Sequence, residues 1–166
     1  MRNGSVQLRH LGTYLNDHLA ASVTAVKLLS HLQKAEANAS LSRFAADMRR
    51  EVQQDQLQLE SLMTRLGIKQ SRTRKTTGWF AEKLTELKLK VDDPHGDGFS
   101  ALETLEIVEI GIEGKRGLWQ ALAATSENEP ALRGTDYQQL TQRAQEQHNK
   151  METMRLASAQ KVLAAV

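Results

Sequence analysis

Six side chains in this sequence carry the chemistry of a divalent metal site: His18, Glu51, Asp55, Glu109, Glu113 and His148. Imidazole nitrogens and carboxylate oxygens together suit a borderline ion such as iron, manganese or zinc. The six are scattered along the chain, apart from two pairs spaced i, i+4, Glu51 with Asp55 and Glu109 with Glu113. On a helix that spacing stacks both carboxylates of a pair on one face. Gathering all six would therefore take several helices that converge at one depth.

The same residues allow two further readings. A buried carboxylate without compensation is costly, and arginine can supply that compensation as well as metal can. Arg116 and Arg155 lie on the same helical faces, and either could pair with Glu113, Glu109 or Glu51 to give an ion-paired core free of metal. In the third reading the faces are rotated and several of the six point to solvent. Other chemistries are excluded more firmly. The chain has no cysteine, so disulfides, zinc–thiolate sites and thiol catalysis are absent. No spacing of Ser, His and Asp suggests a nucleophile elbow or triad, and no catalytic residue is assigned. Asp93-x-His95-x-Asp97-Gly98 fails as a calcium loop, because its third ligand is His and its twelfth position is Thr104.

The elements that would position the six are helices. The 166 residues suit one domain, 1–166, and are rich in Ala, Leu, Gln, Glu, Lys and Arg, all good helix formers. The apolar period predicts four long helices, at about 6–37, 40–66, 100–126 and 135–165, and a short one at about 77–90. Their expected inward stripes carry the candidates: His18 on the first, Glu51 and Asp55 on the second, Glu109 and Arg116 on the third, His148 and Arg155 on the fourth. Glu113 lies directly beside the third stripe. Asn38-Ala39-Ser40 reads as a turn with capping residues, and Gly67 as the stop of the second helix. Ser100-Ala101-Leu102-Glu103 and Thr135-Asp136-Tyr137-Gln138 read as capping boxes for the third and fourth. The only β-like run, Ile107-Val108-Glu109-Ile110, falls inside a helical period. Gly111, Gly114 and Gly117, three apart within a helix, call for close packing against another helix or a partner subunit.

Short links make antiparallel hairpins of the first two long helices and of the last two. The middle link, about 32 residues, is long enough to run back along the whole bundle. The second and third long helices are then parallel. Counted from the end where the first helix finishes, His18, Asp55, Glu113 and His148 fall within about 6 Å of one plane. Glu51, Glu109 and Glu152 form a second layer about one turn away.

These helix lengths and the single crossover resemble the ferritin-like superfamily. The run Thr13-Tyr14-Leu15-Asn16-Asp17-His18-Leu19-Ala20 is similar to small bacterial ferritin-like proteins of uncharacterised function. The likeness spans about Leu8 to Val162. It implies an all-α, ferritin-like four-helix bundle, with the short extra helix in the crossover between the second and third long helices. Metal-binding members use a Glu on each of two helices and Glu-x-x-His on the other two. Here the second helix has Glu51-Val52-Gln53-Gln54, with Gln in place of His, and the fourth has Gln145-Glu146-Gln147-His148, with Gln in place of Glu.

Two functions follow as expectations. One is a ferritin-like protein with a degenerate carboxylate–histidine site for iron or manganese, related to stress or metal handling. The other is a non-catalytic bundle with a salt-bridged core, serving as a structural or interaction module. The expected partner is a second copy of the chain, in a homodimer. The formal net charge of +2 and a pI near 9.0 reflect a small basic excess rather than a basic patch, so nucleic acid is left out. The lack of cysteine and of any apolar run near the ~18 residues of a membrane span points to a cytoplasmic protein without membrane attachment.

Overall fold

The computed structural model describes residues 2–35, 38–71 and 98–164. Most of them lie in four long helices: α1 Arg2–Ala35, α2 Ala39–Arg65, α3 Phe99–Ser126 and α4 Tyr137–Leu163, with a 3-10 turn Pro130–Leu132 before α4. No strand occurs among the described residues. Ile107 and Val108, from the β-like run, are buried on α3. The expected short helix at 77–90 lies outside the described residues.

The helix ends follow backbone hydrogen bonding. Asn38 caps α2, its side-chain oxygen accepting from the N–H of Ser40 and of Leu41. Ser42 Oγ donates to the Gln33 carbonyl at 2.8 Å and ties the first hairpin shut. At the far end of α2, Gly67 takes φ +67°. Its N–H bonds Thr64 O and the N–H of Ile68 bonds Met63 O, which together form a Schellman stop.

Both expected capping boxes are displaced. The residue before α3 is Gly98, at φ +77° with no side-chain cap, so Ser100 is already inside the helix and its carbonyl accepts from Thr104 Oγ1. The cap of α4 is Asp136, which accepts from the N–H of Gln139, while Thr135 accepts from Arg65 instead. Asp136 directly precedes Tyr137, the first buried residue of α4, and the helix starts where burial starts.

Two apolar clusters set the directions of the helices. One joins Leu29 and Leu32 of α1, Leu41 and Met48 of α2, Leu105 and Val108 of α3, and Met151 of α4. The other joins Leu15 and Leu19, Leu59 and Met63, Trp119 and Leu122, and Tyr137 and Leu140. The end of α1 thus meets the starts of α2 and α3 and the second half of α4. It follows that α1 and α4 run one way while α2 and α3 run the other, parallel to each other. α1 packs on α2 and α3, and α4 packs on α3 and α2. The chain leaves α2 at one end of the bundle and enters α3 at the other, as expected of a crossover.

Asn16, not singled out in the sequence, holds the start of that connection. It is buried on α1, and its amide donates to Gly12 O at 2.8 Å and Lys69 O at 3.1 Å, while its oxygen accepts from Ser71 N–H at 2.6 Å. The expected close packing at the glycines of α3 has no counterpart among the described residues at two of the three positions. A Cβ at Gly114 or Gly117 would meet no atom within 4 Å.

Asn16→Ala should cost on the order of 2 kcal/mol, because it strands buried backbone groups. Chemical denaturation reads this as a lower midpoint. An unchanged midpoint would mean that water replaces the amide there.

Candidate functional site

The polar layer lies between the two apolar clusters, and its centre is Asp55 on α2. The Asp55 side chain is 2% exposed. Lys115 Nζ, from α3, reaches its Oδ2 at 2.5 Å, and Gln147 Nε2, from α4, donates to the same oxygen at 2.8 Å. An Arg143 Nη2 atom stands 2.8 Å from Oδ1, an ion pair without hydrogen-bond alignment. Lys115 also donates to Gln147 Oε1, which closes a triangle of side chains from three helices. Burial pulls the Lys115 ammonium below the ordinary lysine range, and the neighbouring Asp55 acts in the opposite direction.

The other expected residues fall into separate groups. Glu109 accepts from Arg155 Nε, and His148 Nε2 stands 3.6 Å from its other oxygen. The His148 Nδ1 atom is buried without a hydrogen-bond partner among the described residues. Glu51 takes Lys150 at 2.8 Å in a partly exposed pair. His18 packs edge-on against Tyr14, with ring centroids 4.7 Å apart. Its burial lowers the imidazole pKa, against the pull of Asp17.

Glu113 was expected to point into the bundle, and this is corrected. Its side chain is 48% exposed and forms a two-bond fork with Arg116, one turn on along α3, at 2.9 and 2.6 Å. That hydrogen bonding holds the carboxyl below the usual carboxylate range. Glu152, expected in the second layer, is also exposed. The structure thus brings Glu109 to His148 and brings His18 to the cavity wall that Asp55 shares, while Glu113 is turned outward. Among the described residues, no three of His, Cys, Asp or Glu stand close enough to hold one metal ion.

A cavity of about 30 Å³ adjoins the triangle. His18 and Ser22 of α1, Asp55 of α2, and Ile112, Lys115 and Trp119 of α3 line it. Small residues make the room, with Ala21 and Ala25 on α1 and Gly111 on α3. Trp119 is 1% exposed and its indole N–H has no acceptor among the described residues.

Sequence reasoning missed Lys115, Arg143, Gln147 and Lys150. The signal for two of them was present. From Ile112 the α3 stripe can continue at Lys115 or Arg116, and from Ala144 the α4 stripe can continue at Gln147 or His148. In both cases the step of four was followed and the residue buried is the one at the step of three. One residue is a rotation of about 100°, enough to exchange an inward side chain for one at the flank.

Asp55→Asn should destabilise the fold by about 3–5 kcal/mol, since it leaves Lys115 and Arg143 facing a neutral amide. Denaturant titration measures this, and a loss below about 1 kcal/mol would show that solvent reaches the pair. His18 gives a pH test. Its folded pKa is lowered, so the unfolded chain binds the proton more readily. The stability it confers is full above about pH 6.5 and is lost as pH falls from there through the folded pKa. His18→Gln should flatten the melting temperature between pH 7 and 5.

Comparison with protein-family models, with curated proteins and with solved structures found no match to this chain.

Proposed function

We propose that this protein is a ferritin-like four-helix bundle whose core is closed by ion pairs, and that it works through its surface as a structural or interaction module. The observation that carries this reading is the neutralisation of Asp55: two cations from α3 and α4 stand against its oxygens, and a carboxamide of α4 donates to one of them. Where a metal-binding relative would place ligands with free lone pairs, this chain has a lysine ammonium, which repels a metal ion. The ferritin-like part is supported by the two hairpins, the parallel α2 and α3, and the placing of the end of α2 and the start of α3 at opposite ends of the bundle. The proposed partner is a second copy of the chain, meeting the outer face of α3. Ile110 is exposed there, and a Cβ at Gly114, one turn on, would meet no atom of another element within 4 Å among the described residues.

A second reading, an iron- or manganese-binding bundle, draws on one observation. His148 keeps a buried ring nitrogen without a partner among the described residues, beside Glu109. Metal analysis of protein purified without chelator or affinity-tag metal separates the two, followed by calorimetric titration with manganese(II) and anaerobic iron(II). The ion-paired reading expects no saturable binding near one equivalent. Stoichiometric binding that His148→Ala abolishes, with the fold intact, would overturn it. For the partner, sedimentation should give a dimer that Gly114→Leu dissociates.

A further inference from the structure

The cavity beside Lys115 carries donors whose N–H groups are not all taken. The ammonium has three N–H groups, of which Asp55 Oδ2 and Gln147 Oε1 take two. Trp119 lines the same cavity, and its buried indole N–H has no acceptor among the described residues. A tryptophan indole buried in this way almost always finds a partner. His18 offers a further ring N–H from α1. The one carboxylate on the wall, Asp55, takes Lys115 and Gln147 on Oδ2 and is ion-paired with Arg143 at Oδ1, which accepts no hydrogen bond among the described residues.

Charge points the same way as hydrogen bonding. In this cluster one negative group, Asp55, faces two positive ones, Lys115 and Arg143. The cation on the cavity wall itself is Lys115, beside Ala25, Val52, Leu59 and Ile112, while Arg143, 30% exposed, reaches Asp55 from outside the cavity. A metal cation would be repelled there. A neutral apolar guest would leave the Trp119 N–H unsatisfied.

We propose that this cavity is a binding site for a small monovalent anion, of at most about three heavy atoms, held by the Lys115 ammonium and the Trp119 indole N–H. The size follows from the volume: about 30 Å³ is roughly twice what one water requires. Chloride, azide, nitrite and formate meet the limit, whereas sulfate exceeds it and carries a second charge. The site rests on the reading that Lys115, rather than a metal ion, neutralises Asp55. It can still fail on its own, because metal stoichiometry tests that reading and anion response tests this one.

The indole N–H is the natural probe. The chain has two tryptophans, so ¹⁵N-labelled protein gives two indole cross-peaks, and Trp119→Phe identifies which belongs to the cavity. Titration with sodium azide, nitrite, formate or chloride should move the Trp119 peak saturably for at least one of them. Sodium sulfate at matched ionic strength should not move it. Lys115→Gln should weaken the response about tenfold or more, as expected for the loss of a charged hydrogen-bond donor. Should that variant unfold, Ala21→Val fills the cavity while leaving every charge in place, and it should abolish the response. The proposal falls if the Trp119 peak stays still with all four anions, if it drifts linearly and equally with sulfate, or if Ala21→Val responds as the native protein does.

Discussion

A carboxylate in the middle of a helical bundle must be neutralised where it stands, and the arrangement of this molecule turns on how Asp55 meets that condition. At 2% exposure the carboxylate is shielded from bulk solvent, and its compensation comes from side chains. Lys115 comes from α3, and Gln147 and Arg143 come from α4. α2 and α3 are diagonal in the bundle and share little direct packing, so this contact is one of the few that link them across the centre. The effect is asymmetric. Removing one member strands the others as buried charge or unpaired amide, whereas replacing the whole set with apolar side chains of similar volume would be far less costly.

Around that centre the packing is ordinary. Leucine, methionine and alanine fill both apolar clusters, with Trp119 the largest buried side chain and the Tyr137 hydroxyl donating to Leu132 O at 2.7 Å where the second hairpin turns. The outer charges behave as surface charges do. The Glu113–Arg116 fork and the Glu51–Lys150 pair are at least partly wet, and such pairs contribute little to stability. The Glu109–Arg155 pair is drier and lies next to His148, so it forms a second, smaller electrostatic unit about two turns from the first.

The helices were legible because their stripes are long. Leu41, Met48, Val52, Asp55, Leu59 and Leu62 repeat over about six turns of α2, and all six are buried as the period requires. Glu51 and Asp55 stood out as the polar residues of the predicted stripe, and Asp55 is the one that is buried. Its partners did not, for two physical reasons. At 3.6 residues per turn a stripe can advance by three or four, and the choice at Lys115 versus Arg116 is invisible without the neighbouring helix. A lysine is also ordinarily read as solvated, since its long stem lets the charge reach water. Here the stem stays short of the surface, because a carboxylate waits for it inside. The capping errors had a similar origin. Thr135 and Asp136 are both good caps, and only the burial of Tyr137 decides between them. Asn16 gave no periodic signal, because its partners are backbone groups 53 and 55 residues away.

The placement of the polar triangle between two leucine-rich clusters has a consequence for alignment. Leucine and methionine surfaces are permissive, and similar volumes can be filled after one helix slides past another. A slide of α3 by one turn, about 5.4 Å, would bring a similar apolar set back into contact. It would also carry the Lys115 ammonium away from Asp55 and leave both in a dry core. The greasy clusters therefore supply cohesion with little discrimination, and the triangle supplies discrimination with little cohesion. It works as a vernier mark on a sliding scale, set by contacts 60 and 92 residues apart in the chain, so the two hairpins can dock in many ways but lock in only one.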